Sequence, residues 1–301
     1  MEMWQLRQRQ ALPLEAKIAY TQNKIRQWYE HWDGEVYVSF SGGKDSTVLL
    51  HLVRQIYPEV VAVFADTGLE FPEIRDFVKT FDNVVWLKPK LNFKEVIEKY
   101  GYPVVSKELS QKISEARTTK SDKLRNLRLN GRDGKYGISK RWKYLIDAPF
   151  KISDRCCNVM KKISFKSVEK DTAQKGYIGT MTSDSFLRET AYVKRGGCNS
   201  FEGNRQQSLP LSIWTETDIW EYLRAYSVPY SPIYDMGYTR TGCMFCAFGA
   251  HLEKRPNRFE RMKHTHPAQW RYCMKNLGMA EVLDFVGVPC GTKEQLSLWK
   301  N

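Results

Sequence analysis

The chain has 301 residues, 42% of them hydrophobic and 13% aromatic, with a formal net charge of +13. This length and apolar content suit one large folded domain, or a domain with a lobe, and exclude a disordered chain. No run approaches the roughly eighteen apolar residues of a membrane span, and residues 1–10 lack an apolar signal core, so a cytoplasmic protein without membrane contact is the expectation.

In chain order, Ile18, Ile25 and Trp28 have the spacing of one helix face and predict a helix over 14–31. Residues 36–40 form a short β-branched and aromatic run, followed by helical spacing over 47–56. The continuous apolar run VVAVF at 60–64 is that of a buried parallel strand. A helix over 73–81, a strand over 84–87 and a further strand over 177–179 continue the alternation. Strands alternating with helices predict an α/β fold with a doubly wound parallel sheet. After Thr215 the pattern turns mostly helical and carries the last cysteines. The expected partition is a helical segment 1–35, an α/β domain 36–212 with a basic insertion near 107–150, and a helical lobe 213–301. The polar, glycine-containing stretch 118–140 reads as a mobile loop or an insertion that could order on a ligand.

The charge is concentrated. Residues 107–170 hold 18 Lys+Arg against 7 Asp+Glu, a surplus of 11 within the chain's total of +13. Such a tract is either a solvated surface or an electrostatic footprint for a polyanion, and nucleic acid is the partner it suggests. The seven cysteines are an odd number in a chain with no secretory signal, which argues against a disulfide framework. Metal binding or redox work is the better reading of the clustered ones.

The segment SGGKDS at 41–46 lies between the strand at 36–40 and the following helix. Two glycines let backbone approach a ligand closely, and a helix start offers unpaired N–H groups and a positive dipole end. Lys44 adds a cation, and Ser41 and Ser46 add hydroxyls. Together they make a phosphate cradle, too short for the GxxxxGK[ST] loop.

SGGKDS resembles the PP-loop of the adenine nucleotide α-hydrolase-like superfamily, which includes the ATP pyrophosphatases and the phosphoadenosine phosphosulfate (PAPS/APS) reductases. FADTGLEFPE at 64–73 is similar to that superfamily's second motif, and IGTMTSDSFLRE at 178–189 to its third. Met181 stands where the third motif commonly has an arginine. The resemblance implies a Rossmann-like sheet and a nucleotide held by Ser39, Ser41, Gly42, Gly43, Lys44, Asp45, Ser46, Asp66, Thr67, Gly179, Ser185 and Arg188. Lys44, Asp45 and Arg188 would be its catalytic residues.

Cys156 and Cys157 are adjacent, and Cys243 and Cys246 form a CxxC. Four thiolates suit zinc or an iron–sulfur cluster, and by spacing alone zinc is the simpler assignment. The resemblance reverses that order. A CC pair followed by basic residues and a later CxxC is similar to the [4Fe-4S] pattern of assimilatory APS reductases and DndC-type sulfur-modification proteins. All four cysteines would then be cluster ligands. Lys161 would neutralise the cluster thiolates and tune its potential, unless it is a solvated surface lysine. Met160 and Ser164 stand where the reductases often carry Arg and Pro.

Two chemistries share such a loop. The reductases use a cysteine in an E-C-G-[IL]-H motif, which these residues lack; Cys290, in VPCGT, keeps only Cys-Gly. The pyrophosphatases adenylate a substrate with ATP, with Mg²⁺ on the phosphates. The expected function is an ATP pyrophosphatase that activates a nucleic acid for sulfur incorporation, as in DNA phosphorothioation or tRNA thiolation, with a cysteine desulfurase supplying sulfur. The alternatives are an APS/PAPS reductase served by thioredoxin and a non-catalytic nucleotide or redox sensor. A homo-oligomer is compatible with either. Trp214, Trp220 and Tyr222 are expected in the core, His264 and His266 at the surface or in caps, and Cys198 and Cys273 have no assigned role.

Overall fold

The computed structural model describes residues 2–132, 134–203 and 206–292. Helices α1 (Met3–Gln10) and α2 (Leu14–His31) open the chain, and α2 spans the expected residues because Ile18, Ile25 and Trp28 are buried along one face. Strand β1 (Val36–Ser39) leads into α3 (Lys44–Arg54), then β2 (Val61–Ala65), α4 (Pro72–Lys79) and β3 (Val84–Leu87). The helix predicted at 47–56 begins three residues earlier, so Lys44, Asp45 and Ser46 form its first turn.

Next come α5 (Phe93–Tyr100), β4 (Val104–Val105), α6 (Lys107–Thr118) and α7 (Asp122–Asn130), and a small hairpin of β5 (Gly131–Arg132) and β6 (Lys135–Tyr136). The mobile loop expected over 118–140 is therefore largely helix and hairpin. Ser121 caps α7 by accepting from the Leu124 amide, Gly131 ends it, and Arg128 pairs with Glu115 of α6. A 3₁₀ segment (Lys140–Asp147) and a π-turn (Asn158–Lys162) precede α8 (Ile163–Thr172).

Strand β7 (Lys175–Ile178), α9 (Phe186–Arg195), β8 (Asn199–Ser200), β9 (Gln207–Ser208) and α10 (Glu216–Ala225) follow. The chain closes with β10 (Ala247–Phe248), α11 (Arg258–Thr265), α12 (Pro267–Arg271) and α13 (Met279–Val286).

Six strands form the main sheet in the order β3-β2-β1-β7-β9-β8, parallel throughout except for β8 against β9. The order reverses between β1 and β7, the switch point at which α/β sheets open a crevice beyond their strand C-termini. Trp28, Tyr177, Tyr192, Trp214, Tyr222 and Phe64 are fully buried around this sheet. The Trp214 indole donates to Thr21 at 2.8 Å, which satisfies the one polar atom that ring buries.

The chain divides into two compact units made of interleaved segments. Unit one comprises residues 1–66, 70–88 and 164–241 and contains the sheet; unit two comprises 67–69, 89–163 and 242–301. The consecutive partition expected from sequence differs from this. Residues 1–35 and 213–241 join the sheet unit, and the basic segment joins the cysteines instead. Among the described residues no helix is long and apolar enough to cross a membrane.

Candidate nucleotide and cysteine sites

In unit one, β1 ends at Ser39 and the chain turns through two glycines into α3. Gly42 has φ of +71°, and a Cβ there would lie 2.7 Å from Val78 and 2.9 Å from Ile74, so no side chain fits. At Gly43 a Cβ would stand 2.6 Å from the Thr241 hydroxyl. The turn is tied by hydroxyls. Ser46 accepts from the Ser41 amide at 3.1 Å and donates to the Gly43 carbonyl at 2.8 Å, and Thr47 donates to the same carbonyl. The Lys44 amide donates to the Tyr234 hydroxyl at 2.8 Å.

The Lys44 ammonium is buried, 3.1 Å from Asp45 and 3.4 Å from Glu216, and 5.8 Å above the Tyr234 ring. Burial pulls its pKa down, but Asp45, Tyr234 and Glu216 outweigh that and leave it above the ordinary lysine value. Burial raises the Asp45 carboxyl against the pull of Lys44, and the charges of Asp184 and Glu216 raise it further.

Gly179 follows β7, and a Cβ there would meet the Asp45 carbonyl and Ser46 Cα at 3.2 Å. Its smallness lets the end of β7 press against the start of α3. Ser185 caps α9 by accepting from the Arg188 amide, and Arg188 turns back onto Asp184 and the Met181 carbonyl. Asp66, at the end of β2, is buried and held by Arg75 at 2.9 Å. The Arg75 Nε is buried without a hydrogen-bond partner. Thr67, whose hydroxyl accepts from the Leu69 amide, is grouped with unit two. The sequence reading missed Tyr234, Thr241, Glu216 and Arg75; none stands in a motif that marks it.

In unit two, all four clustered cysteines are thiols with no disulfide. Cys156 and Cys157 lie at the start of the π-turn, their sulfurs 4.0 Å apart. Parallel pairing of β10 with β4 anchors the chain directly after Cys246, and the Arg258 guanidinium donates to the Cys246 carbonyl at 2.9 Å. The thiols sense one another's charge: Cys156 is pushed far up by Cys157, by burial and by Cys246 and Cys243. Cys157 falls to about 6, chiefly through the Cys156 hydrogen bond and then through Lys107 and Lys161, against the opposing effect of burial. Burial and Cys243 raise Cys246 to about 11. Lys161 and Lys107 both lower the Cys157 thiol, and Lys107 is a cation that sequence did not single out.

Among the described residues no three His, Cys, Asp or Glu side chains stand at the spacing that holds a single metal ion. Four mutually interacting thiols are the donor set of a zinc ion or of an iron–sulfur cluster. The set is compatible with a [4Fe-4S] cluster, for which Cys156, Cys157, Cys243 and Cys246 would be the ligands. No described residue set is assigned to Mg²⁺.

The phosphoadenosine phosphosulfate reductase domain matches residues 35–248, a span containing the glycine turn, Asp66, Gly179, Arg188 and all four clustered cysteines. The chain belongs to this family. It is 30% identical over 270 residues to an uncharacterized protein of Methanocaldococcus jannaschii, matching 85% of this chain and 52% of that one. The chain therefore spans about half the length of that relative. It is 23% identical over 227 residues to an adenosine 5'-phosphosulfate reductase of Bacillus cereus, covering 72% of this chain and 75% of the reductase. A phosphoadenylyl-sulfate reductase structure from Candida auris overlaps 74% of this chain and 87% of that one at 16% identity, with a TM-score of 0.45.

Other expectations of this PAPS reductase family chain can be placed. Trp214 and Tyr222 are core residues, and Trp220 is half-buried against Tyr230 and Tyr234. His266 caps the junction of α11 and α12, its Nδ1 2.8 Å from the Thr265 hydroxyl, and His264 is exposed. Cys198, Cys273 and Cys290 are each at most 1% exposed.

Proposed function

We propose that this chain adenylates a nucleic acid with ATP and passes the activated position to sulfur, as the ATP pyrophosphatases of sulfur modification do. The observation that carries the reading is the burial of every thiol outside the quartet: Cys198, Cys273 and Cys290 lie within the packing. A sulfonucleotide reductase needs a thiolate that meets a soluble nucleotide and then thioredoxin, and these three offer none at the surface.

In this reading the triphosphate lies on the turn at 41–46. Its oxygens take over the donors now satisfied by local hydroxyls: the Lys44 amide from Tyr234 and the Ser41 amide from Ser46. An acceptor oxygen attacks the α-phosphorus, the bond to the β-phosphate oxygen breaks, and pyrophosphate leaves with Mg²⁺ as its counter-ion. Lys44, kept charged, neutralises the oxygens that gain charge. Arg188 turns from Asp184 towards phosphate, as a guanidinium can. Sulfide-level sulfur then displaces AMP from the acceptor. A [4Fe-4S] cluster, when bound to Cys156, Cys157, Cys243 and Cys246, supplies iron to which such sulfur can attach. A cysteine desulfurase is the proposed sulfur source; it delivers persulfide sulfur, which two electrons from a thiol reductant bring to the sulfide level, and DNA phosphorothioation and tRNA thiolation are the reactions of this type. The basic segment 107–170 is the proposed footprint of the acceptor.

Reduction of APS or PAPS is the second reading, favoured by the similarity to the Bacillus cereus reductase. It requires Cys290 to emerge from its packing. Anaerobic protein given Mg-ATP and, separately, APS or PAPS with reduced thioredoxin separates the two. Pyrophosphate release lost in Lys44→Ala, without sulfite, supports adenylation. Sulfite release lost in Cys290→Ser overturns it.

A further inference from the structure

Unit two contains an open cavity of about 600 Å³ that shares no residue with the glycine turn or the quartet. It adjoins the quartet through Lys107, which lines the cavity and stands within electrostatic reach of Cys157. Trp142 and His251 form an edge-to-face pair in its wall, ring centroids 5.2 Å apart at 84°. The Arg141 guanidinium lies 4.7 Å over the Trp142 ring. Lys112 reaches the lining from α6, with Glu108 taking one of its donors. The backbone is constrained here. Val105 has φ of +58°, a region a β-branched residue enters only when its surroundings hold it there, and its carbonyl accepts from Gly249.

Two features narrow the occupant. The His251 Nδ1 is buried with no hydrogen-bond partner. Burial and then Arg141 hold that imidazole below its ordinary pKa, so it is a neutral ring with one donor and one acceptor nitrogen. An acidic peptide would use the lysines and leave the aromatic pair and the imidazole unused; a nucleotide uses all three. The surrounding surface repeats the pattern, with Tyr136 and Tyr144 exposed among Lys135, Lys140 and Lys143. Rings interleaved with cations are the makings of a single-strand platform.

We propose that this cavity receives one unstacked base of a single-stranded nucleic acid, packed on Trp142 and read by His251, with its flanking phosphates on Lys107 and Lys112. The proposal rests on the reading of a nucleic acid acceptor and puts that acceptor beside Cys157.

The test is fluorescence anisotropy with a labelled single-stranded oligonucleotide of about 12 nucleotides, its duplex, and an abasic strand of equal charge, all without ATP. Wild-type protein is expected to bind the single strand about tenfold more tightly than the abasic strand, the effect of one stacked base. Trp142→Leu is expected to remove that preference, and Lys112→Gln to lower the salt slope by about 0.7, one phosphate contact. The abasic comparison uses wild-type protein, so it stands if a variant fails to fold. Equal binding of the single and abasic strands, a preference for the duplex, or displacement of the strand by AMP at equal concentration would overturn the proposal. Pyrophosphate release is read separately. Release without single-strand binding defeats the cavity assignment alone, whereas sulfite formation from APS defeats the acceptor reading beneath it.

Discussion

The Tyr234 hydroxyl accepts from the Lys44 amide at 2.8 Å, at the first N–H of the helix that follows the paired glycines. It occupies the position at which a helix start would hold an anion. A phosphate entering the turn competes with this hydroxyl. Tyr234→Phe should therefore tighten ATP binding about two- to fivefold, the net value of one neutral hydrogen bond. Lys44→Ala should weaken it tenfold or more. Titration calorimetry of the two variants reads opposite signs, and weaker binding by Tyr234→Phe would mean that the hydroxyl contacts nucleotide instead.

Gly43 has an ordinary negative φ of −80°, so only space forbids a side chain there. The obstacle is the Thr241 hydroxyl, 2.6 Å from where a Cβ would lie. Gly43→Ala should lower stability by about 1–3 kcal/mol through overpacking, and Gly43→Ala with Thr241→Ala should recover most of it. Gly42→Ala should not be rescued this way, because its φ of +71° adds backbone strain. Thermal melts of Gly43→Ala and Gly42→Ala, each with and without Thr241→Ala, check the pattern.

Lys44 is held above its ordinary value of 10.5. A base whose folded pKa is raised contributes stability that is present below the unfolded pKa and is lost as pH rises through the folded one. Its charge is thus complete through neutral and mildly alkaline solution. ATP affinity at constant ionic strength should be flat from about pH 7 to pH 9 in wild type. A fall in that window would place the Lys44 pKa below its ordinary value.

The two motifs that define both sites were legible because each is local. A turn needs its glycines next to one another, and Cys156-Cys157 and Cys243–Cys246 are visible as spacings. What completes each site was not legible. Tyr234 reaches Lys44 across 190 positions, and Lys107 reaches Cys157 from another helix. Neither lies in a pattern that requires a ligand. The helix at Asp122–Asn130 was readable and overlooked: Ser121 and Gly131 are start and stop signals that outweigh its polarity. The interleaving of the two units depends on which faces pack together, a property that no window of sequence contains.

The quartet makes a compositional prediction. Anaerobically reconstituted wild-type protein should contain about four irons and four sulfides per chain with broad visible absorption. Cys156→Ser, Cys157→Ser, Cys243→Ser and Cys246→Ser should each lose most of it, while Cys198→Ala and Cys290→Ala keep it. Zinc at one per chain without sulfide would replace the cluster with a structural ion.

Lys17 and Asp218 join α2 to α10 at 2.6 Å, with side chains only 3% and 11% exposed. The same carboxylate accepts from the Thr215 amide and hydroxyl in the cap of α10. Removing the lysine strands a buried charge that also organises a helix start. Lys17→Met should therefore cost about 3–5 kcal/mol, the range for breaking one partner of a buried pair. Lys17→Met with Asp218→Asn should cost less, because the amide needs no counter-charge and its oxygen still accepts in the cap. Urea denaturation of the single and double variants measures the difference. A loss below about 1 kcal/mol in the single variant would mean that the pair is solvated, as exposed ion pairs are.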